Sequence, residues 1–82
     1  MKYELDDKYE LDDIDTMQDI IYKIDTGAGE DYIVQELKEY NEIYLRMIIR
    51  NMLEDNILLD RGAYLVFNYR DDRAREIVYG SK

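Results

Sequence analysis

Residues 42–67 run EIYLRMIIRNMLEDNILLDRGAYLVF. The first half contains neither Gly nor Pro, and Tyr44, Leu45, Ile48, Ile49, Met52 and Leu53 recur at helical spacing. Asn56 stands where a helix end takes a left-handed residue, and Asn is the usual substitute for Gly there. Ile57-Leu58-Leu59 and Ala63-Tyr64-Leu65-Val66-Phe67 then flank Asp60-Arg61-Gly62. Two β-rich runs around a three-residue connection ending in Gly predict a hairpin with a left-handed bulge.

The stretch extends upstream. From residue 30 to residue 55 there is no Gly and no Pro, and Ile33, Val34, Leu37 and Tyr40 form an earlier apolar stripe. One long helix or two shorter ones fit this pattern. A single helix of 26 residues would be long against a mean of about 12, so two helices are expected, with a break near Tyr40-Asn41-Glu42. Asn41 can cap the second piece, and Glu30 and Asp31 suit the positive end of the first.

Further back, Met17, Ile20, Ile21 and Ile24 fall at i, i+3, i+4 and i+7. A helix over about 15–25 follows, capped by Asp15 or Thr16 and ended by Thr26-Gly27-Ala28-Gly29. The chain begins with a hexad written twice, Lys2-Tyr3-Glu4-Leu5-Asp6-Asp7 and Lys8-Tyr9-Glu10-Leu11-Asp12-Asp13. Its alternation puts Tyr3, Leu5, Tyr9 and Leu11 on one side of an extended chain, which predicts a strand-like acidic arm over 1–14 and a folded domain over 15–82. At the other end, Glu76-Ile77-Val78-Tyr79 fits a last short strand or a frayed helix. The expected core is Ile20, Ile21, Ile24, Leu37, Leu45, Ile49, Met52 and Phe67. Ile43, Met47 and Ile48 are expected outside it, because near neighbours on a helix diverge. With Ile77-Val78-Tyr79 they would leave apolar surface for self-association as a homodimer.

Three helices followed by a hairpin make an α+β domain whose order resembles the winged helix-turn-helix superfamily. The match is loose over 15–69 and good over 42–67. Leu45, Ile49 and Met52 match the buried positions of that family's recognition helix, Asn56 its cap, Ile57-Leu58 the opening of its wing and Asp60-Arg61-Gly62 the wing tip. The small residue usual between the second and third helices is absent. The resemblance implies a small DNA-binding regulator of transcription. Arg46 and Arg50 would lie at a major groove, and Arg61 would reach a minor groove or the backbone.

Charge argues for a different partner. The chain of 82 residues carries 11 basic and 20 acidic side chains, a net charge of −9. Residues 1–41 hold 13 acids against 4 bases, whereas residues 42–82 hold 7 of each, including all six arginines. DNA affinity rests on phosphate neutralisation, which this balance supplies poorly. The second reading is therefore an acidic protein-binding module or inhibitor, with carboxylates standing in for phosphates on a basic nucleic-acid-processing partner. Its contact residues would be Tyr3, Glu4, Asp6, Asp7, Tyr9, Glu10, Asp12 and Asp13. Nine tyrosines, two of them in the arm, suit a protein-binding surface.

Catalysis has little to work with. Cys and His are both missing, so thiolate chemistry, disulfides and the commonest metal ligand and general base are excluded. Ser81 has no histidine to activate it. Gly27-Ala28-Gly29 lacks a third glycine, and Glu30-Asp31 would repel a phosphate. Asp13 and Asp15 open like a calcium loop, but Met17 stands at the next ligand position. A non-enzyme without cofactor or metal is expected. With no run of 18 apolar residues, a cytoplasmic protein without membrane contact is expected.

Overall fold

The computed structural model describes residues 10–24 and 27–79, without the side chains of Leu11, Arg73 and residues 77–79. Three helices, α1 (Leu11–Ile24), α2 (Glu30–Glu36) and α3 (Glu42–Glu54), precede an antiparallel hairpin of β1 (Leu58–Asp60) and β2 (Leu65–Phe67). A fourth helix, α4 (Asp72–Tyr79), follows. The architecture is α+β, with α1 packed against α2, α3, α4 and β2. The first hexad, with Tyr3, Glu4, Asp6 and Asp7, and Tyr9 of the second lie outside the described residues.

The α1 helix starts four residues before the expected position and takes in Leu11-Asp12-Asp13, which the alternating pattern had placed in an extended arm. Acids in the first turn favour a helix N-terminus. Asp13 also reaches back to accept the Glu10 N–H at 3.1 Å, one half of a capping box. Ile14, in step with Met17, packs on the core. Thr16 is therefore not a cap. It lies inside α1, 1% exposed, and its hydroxyl donates to the Asp12 carbonyl at 3.0 Å.

Residues 30–55 form two helices. The Asn41 side chain accepts from the Tyr44 N–H at 3.1 Å and starts α3. Leu45, Ile48, Ile49 and Met52 form its buried stripe. Ile48, expected outside, is 1% exposed. It sits at i+3 from Leu45 and i−4 from Met52, so it belongs to the same face, while Tyr44 and Leu53 take the half-buried margins. Asn56 has φ of 63°, the Ile57 N–H donates to Met52 O at 2.8 Å, and the Asn56 N–H donates to Leu53 O at 3.2 Å. These two bonds are a Schellman motif, and Ile57 and Met52 close it in the core.

The hairpin pairs Leu58 with Phe67, Leu59 with Val66 and Asp60 with Leu65. Its connection is four residues, Arg61-Gly62-Ala63-Tyr64, rather than three, because the Arg61 N–H donates to Tyr64 O at 2.9 Å. Gly62 takes the left-handed conformation, with φ of 93°, and its N–H donates to Asp60 Oδ1. The eight expected core residues are all buried, joined by Met17, Ile33, Ile57, Leu58, Leu65 and Ala74 among others. Residues 76–79 belong to α4, which rules out the strand alternative. Asp71 caps this helix by accepting the Ala74 N–H, and Arg75 pairs with Asp72 across its first turn.

Residues 27–29 do more than end α1. The Leu65 N–H of β2 donates to Ala28 O at 2.9 Å, so the linker lies along the free edge of the hairpin. A Cβ on Gly29 would stand 3.2 Å from Ala63 O, so this approach favours a residue without one.

Candidate interaction surfaces

The arginines of α3 meet different surroundings. Arg46 reaches three carboxylates: Glu30 Oε2 at 2.6 Å from Nη1, Asp31 Oδ1 at 3.1 Å from Nη2, and Glu42 Oε2 at 3.0 Å from Nε. Glu42 is its i−4 neighbour on α3, whereas Glu30 and Asp31 arrive on the first turn of α2. The hydrogen bonds that Arg46 donates to Glu30 above all, then to Glu42 and Asp31, push its pKa up. The guanidinium is fixed by these acids, and their sum with it is negative. Arg50, one turn later, is exposed and has no ion pair among the described residues. Arg61 is exposed at the hairpin tip. Beside Arg46 lies an open hollow of about 490 Å³, walled by Tyr32, Leu53, Asp60 and Tyr64.

A second hollow of similar size opens at the N-terminal end of α1. Glu10, Asp12, Asp13 and Asp15 line it together with Thr16, Tyr40 and Tyr44, and no Lys or Arg is among these residues. The Tyr44 hydroxyl donates to Asp13 Oδ1 at 2.6 Å and lies 3.2 Å from the Thr16 hydroxyl oxygen. Tyr40 donates to Asp19 Oδ2 at 2.5 Å. The two rings lie 6.4 Å apart at a tilt of 34°. A phenol that donates to a carboxylate resists losing its proton. The Tyr40 pKa is accordingly raised, chiefly by Asp19, and that of Tyr44 is raised by burial and then by Asp13. Hydroxyls thus hold these acids in place without cancelling their charge.

Of the expected contact residues, Glu10, Asp12 and Asp13 are brought together around one hollow, Arg46 and Arg50 stand one turn apart on α3, and Arg61 lies at the hairpin tip. The sequence marked the Glu42–Arg46 pair through its i, i+4 spacing. It carried no signal for the approach of Glu30 and Asp31, which are 16 and 15 residues away in the chain. The roles of Tyr40, Tyr44 and Thr16 were missed for the same reason. Among the described residues, no group of three or more carboxylates is placed to hold a metal ion, and no helix is long and apolar enough to cross a membrane. Compared with known proteins, the chain matches no family model, no curated protein and no solved structure.

Proposed function

We propose that this chain is a small non-enzymatic protein-binding module of winged-helix-like architecture that takes a basic partner against the acidic end of α1. The observation that carries this reading is the second hollow: four carboxylates and two tyrosines, with no cation among the described lining residues. Carboxylates on a rigid helix end can meet the Lys and Arg side chains that a nucleic-acid-processing protein presents to phosphates. The tyrosines add contact area with few degrees of freedom to lose. The net charge of −9 would draw such a partner in from solution.

A test uses an arginine-rich peptide as the probe. Asp12→Asn with Asp15→Asn should weaken capture more than Glu54→Gln with Glu76→Gln, which removes the same charge from other surfaces. Equal losses would mean that only net charge is read, and would end the proposal. Removing residues 1–9 leaves the Glu10 cap in place and reads the contribution of Tyr3, Glu4, Asp6, Asp7 and Tyr9 separately.

Binding to DNA, as a dimeric regulator of transcription, is the second reading. It is favoured by the left-handed stop at Asn56 leading into a hairpin, with Arg50 and Arg61 exposed on either side of that junction. Against it stands Arg46, expected with Arg50 at the major groove, which already has three acidic partners. A mobility shift with random duplex DNA at low salt separates the readings. A shift that Arg50→Ala with Arg61→Ala abolishes would install the DNA reading in place of ours.

A further inference from the structure

The hollow at the N-terminal end of α1 has two kinds of wall. Tyr40 and Tyr44 supply the aromatic one, and Glu10, Asp12, Asp13 and Asp15 supply the acidic one. Each ring is tied at its hydroxyl, Tyr44 to Asp13 and Tyr40 to Asp19. With 34° between their planes, the rings lie closer to parallel than to edge-to-face. A phenol that donates to a carboxylate gains electron density in its ring, and its face then attracts a cation more strongly. Asp12 and Asp15 stand at i and i+3, neighbours on one face of α1. Their carboxylates and that of Glu10 have no hydrogen bond or ion pair among the described residues. The nearby cations do not cancel this charge. Arg46, two residues from Tyr44, is held by its own three acids, and Lys38, two residues before Tyr40, is offset by Glu39.

We propose that this hollow selects arginine over lysine, with the partner's guanidinium lying on the tyrosine wall and donating to Asp12 and Asp15. The inference rests on the basic-partner reading above and goes beyond it, since that reading needs only positive charge. An ammonium is a compact, strongly hydrated charge that any exposed acid serves equally well. A guanidinium is planar and weakly hydrated, stacks on aromatic faces, and spreads five donors over its plane. Acids side by side on a helix next to two rings match that spread. Arg46 already shows three acids of this fold closing on one guanidinium.

Two peptides of equal length and charge, one with arginine and one with lysine at every second position, test the selectivity by calorimetry at one ionic strength. The arginine peptide should bind the full chain about 10-fold more tightly. Tyr40→Leu with Tyr44→Leu should bring the two peptides to near parity and leave lysine binding almost unchanged. Because both rings pack partly on the core, thermal melts should confirm that this variant folds. A measurement on the wild type does not depend on it: the guanidinium protons of the bound arginine peptide should move upfield in the ring current of the tyrosines. Equal affinity for the two peptides would overturn the selectivity and leave the basic-partner reading standing, whereas failure to bind either would end both. A preference that survives in the folded leucine variant, or guanidinium protons that do not shift, would overturn the role of the tyrosine wall.

Discussion

Arg46 and Tyr44 are two residues apart on α3, and each gathers acids from elsewhere in the chain by different chemistry. Arg46 meets Glu30, Asp31 and Glu42 with a full positive charge, so this corner is partly neutralised inside the molecule. Tyr44 meets Asp13 with a hydroxyl, and Tyr40 meets Asp19 in the same way. A phenol orients a carboxylate but leaves its charge intact, so this corner stays as acidic as its residues. A count of acids along the sequence treats the two sets alike. The fold closes one against an arginine and displays the other around a hollow.

Both corners hang from the buried stripe of α3, and the largest effect is expected there. Ile49 is fully buried, and Ile49→Ala should cost about 2–4 kcal/mol through lost transfer energy and the cavity left behind. The shift of the urea midpoint measures it. A variant as stable as the wild type would show that α3 does not anchor the two corners.

The tyrosine corner comes next. Tyr44→Phe removes the donor to Asp13 and should cost about 1 kcal/mol, the usual worth of one hydrogen bond, with little change as salt rises. Arg46→Gln should also destabilise, but its effect should shrink at high salt, because exposed ion pairs are screened. Thermal melts of both variants at low and high salt give the comparison directly. Equal salt dependence would erase the distinction between the corners.

The smallest effect is a titration. The pKa values of Tyr40 and Tyr44 lie above the ordinary 10.0 in the folded chain. Their neutral forms are the bonded ones, so their contribution to stability is intact below pH 10 and is lost as pH climbs through the raised values. Tyrosinate absorbance should therefore show late-ionising rings. Tyr40→Phe and Tyr44→Phe should each remove one of them. If every tyrosine ionised together near the ordinary value, the hydroxyl–carboxylate bonds would not persist in solution.

Local chemistry was legible in the sequence where a residue answers to its near neighbours. Asn41 caps α3, Asn56 turns left-handed and Gly62 bends the hairpin, because each satisfies backbone groups within a few positions of itself. The helical spacing of the core stripes was legible for the same reason, although Ile48 shows that the edge of a stripe depends on what packs beside it. The start of α1 was misplaced because Leu11-Asp12-Asp13 fits an alternating strand and a helix first turn equally well. The Glu10–Asp13 contact and the packing of Ile14 on the core accompany the helix that forms.

The sequence by itself determined that this chain forms three helices and a hairpin around one apolar core, with no histidine or cysteine for chemistry and its acid concentrated in the first half. Those properties follow from composition and from interactions spanning one or two turns. Only the tertiary structure decided that Arg46 belongs to Glu30 and Asp31, that Tyr44 holds Asp13, and that Ala28 bonds to Leu65 on the edge of the hairpin. These partners are 15 to 37 residues apart in the chain. No periodicity couples positions at that separation, and they meet because the burial of Ile20, Ile33, Leu45, Ile49 and Phe67 fixes how the elements pack.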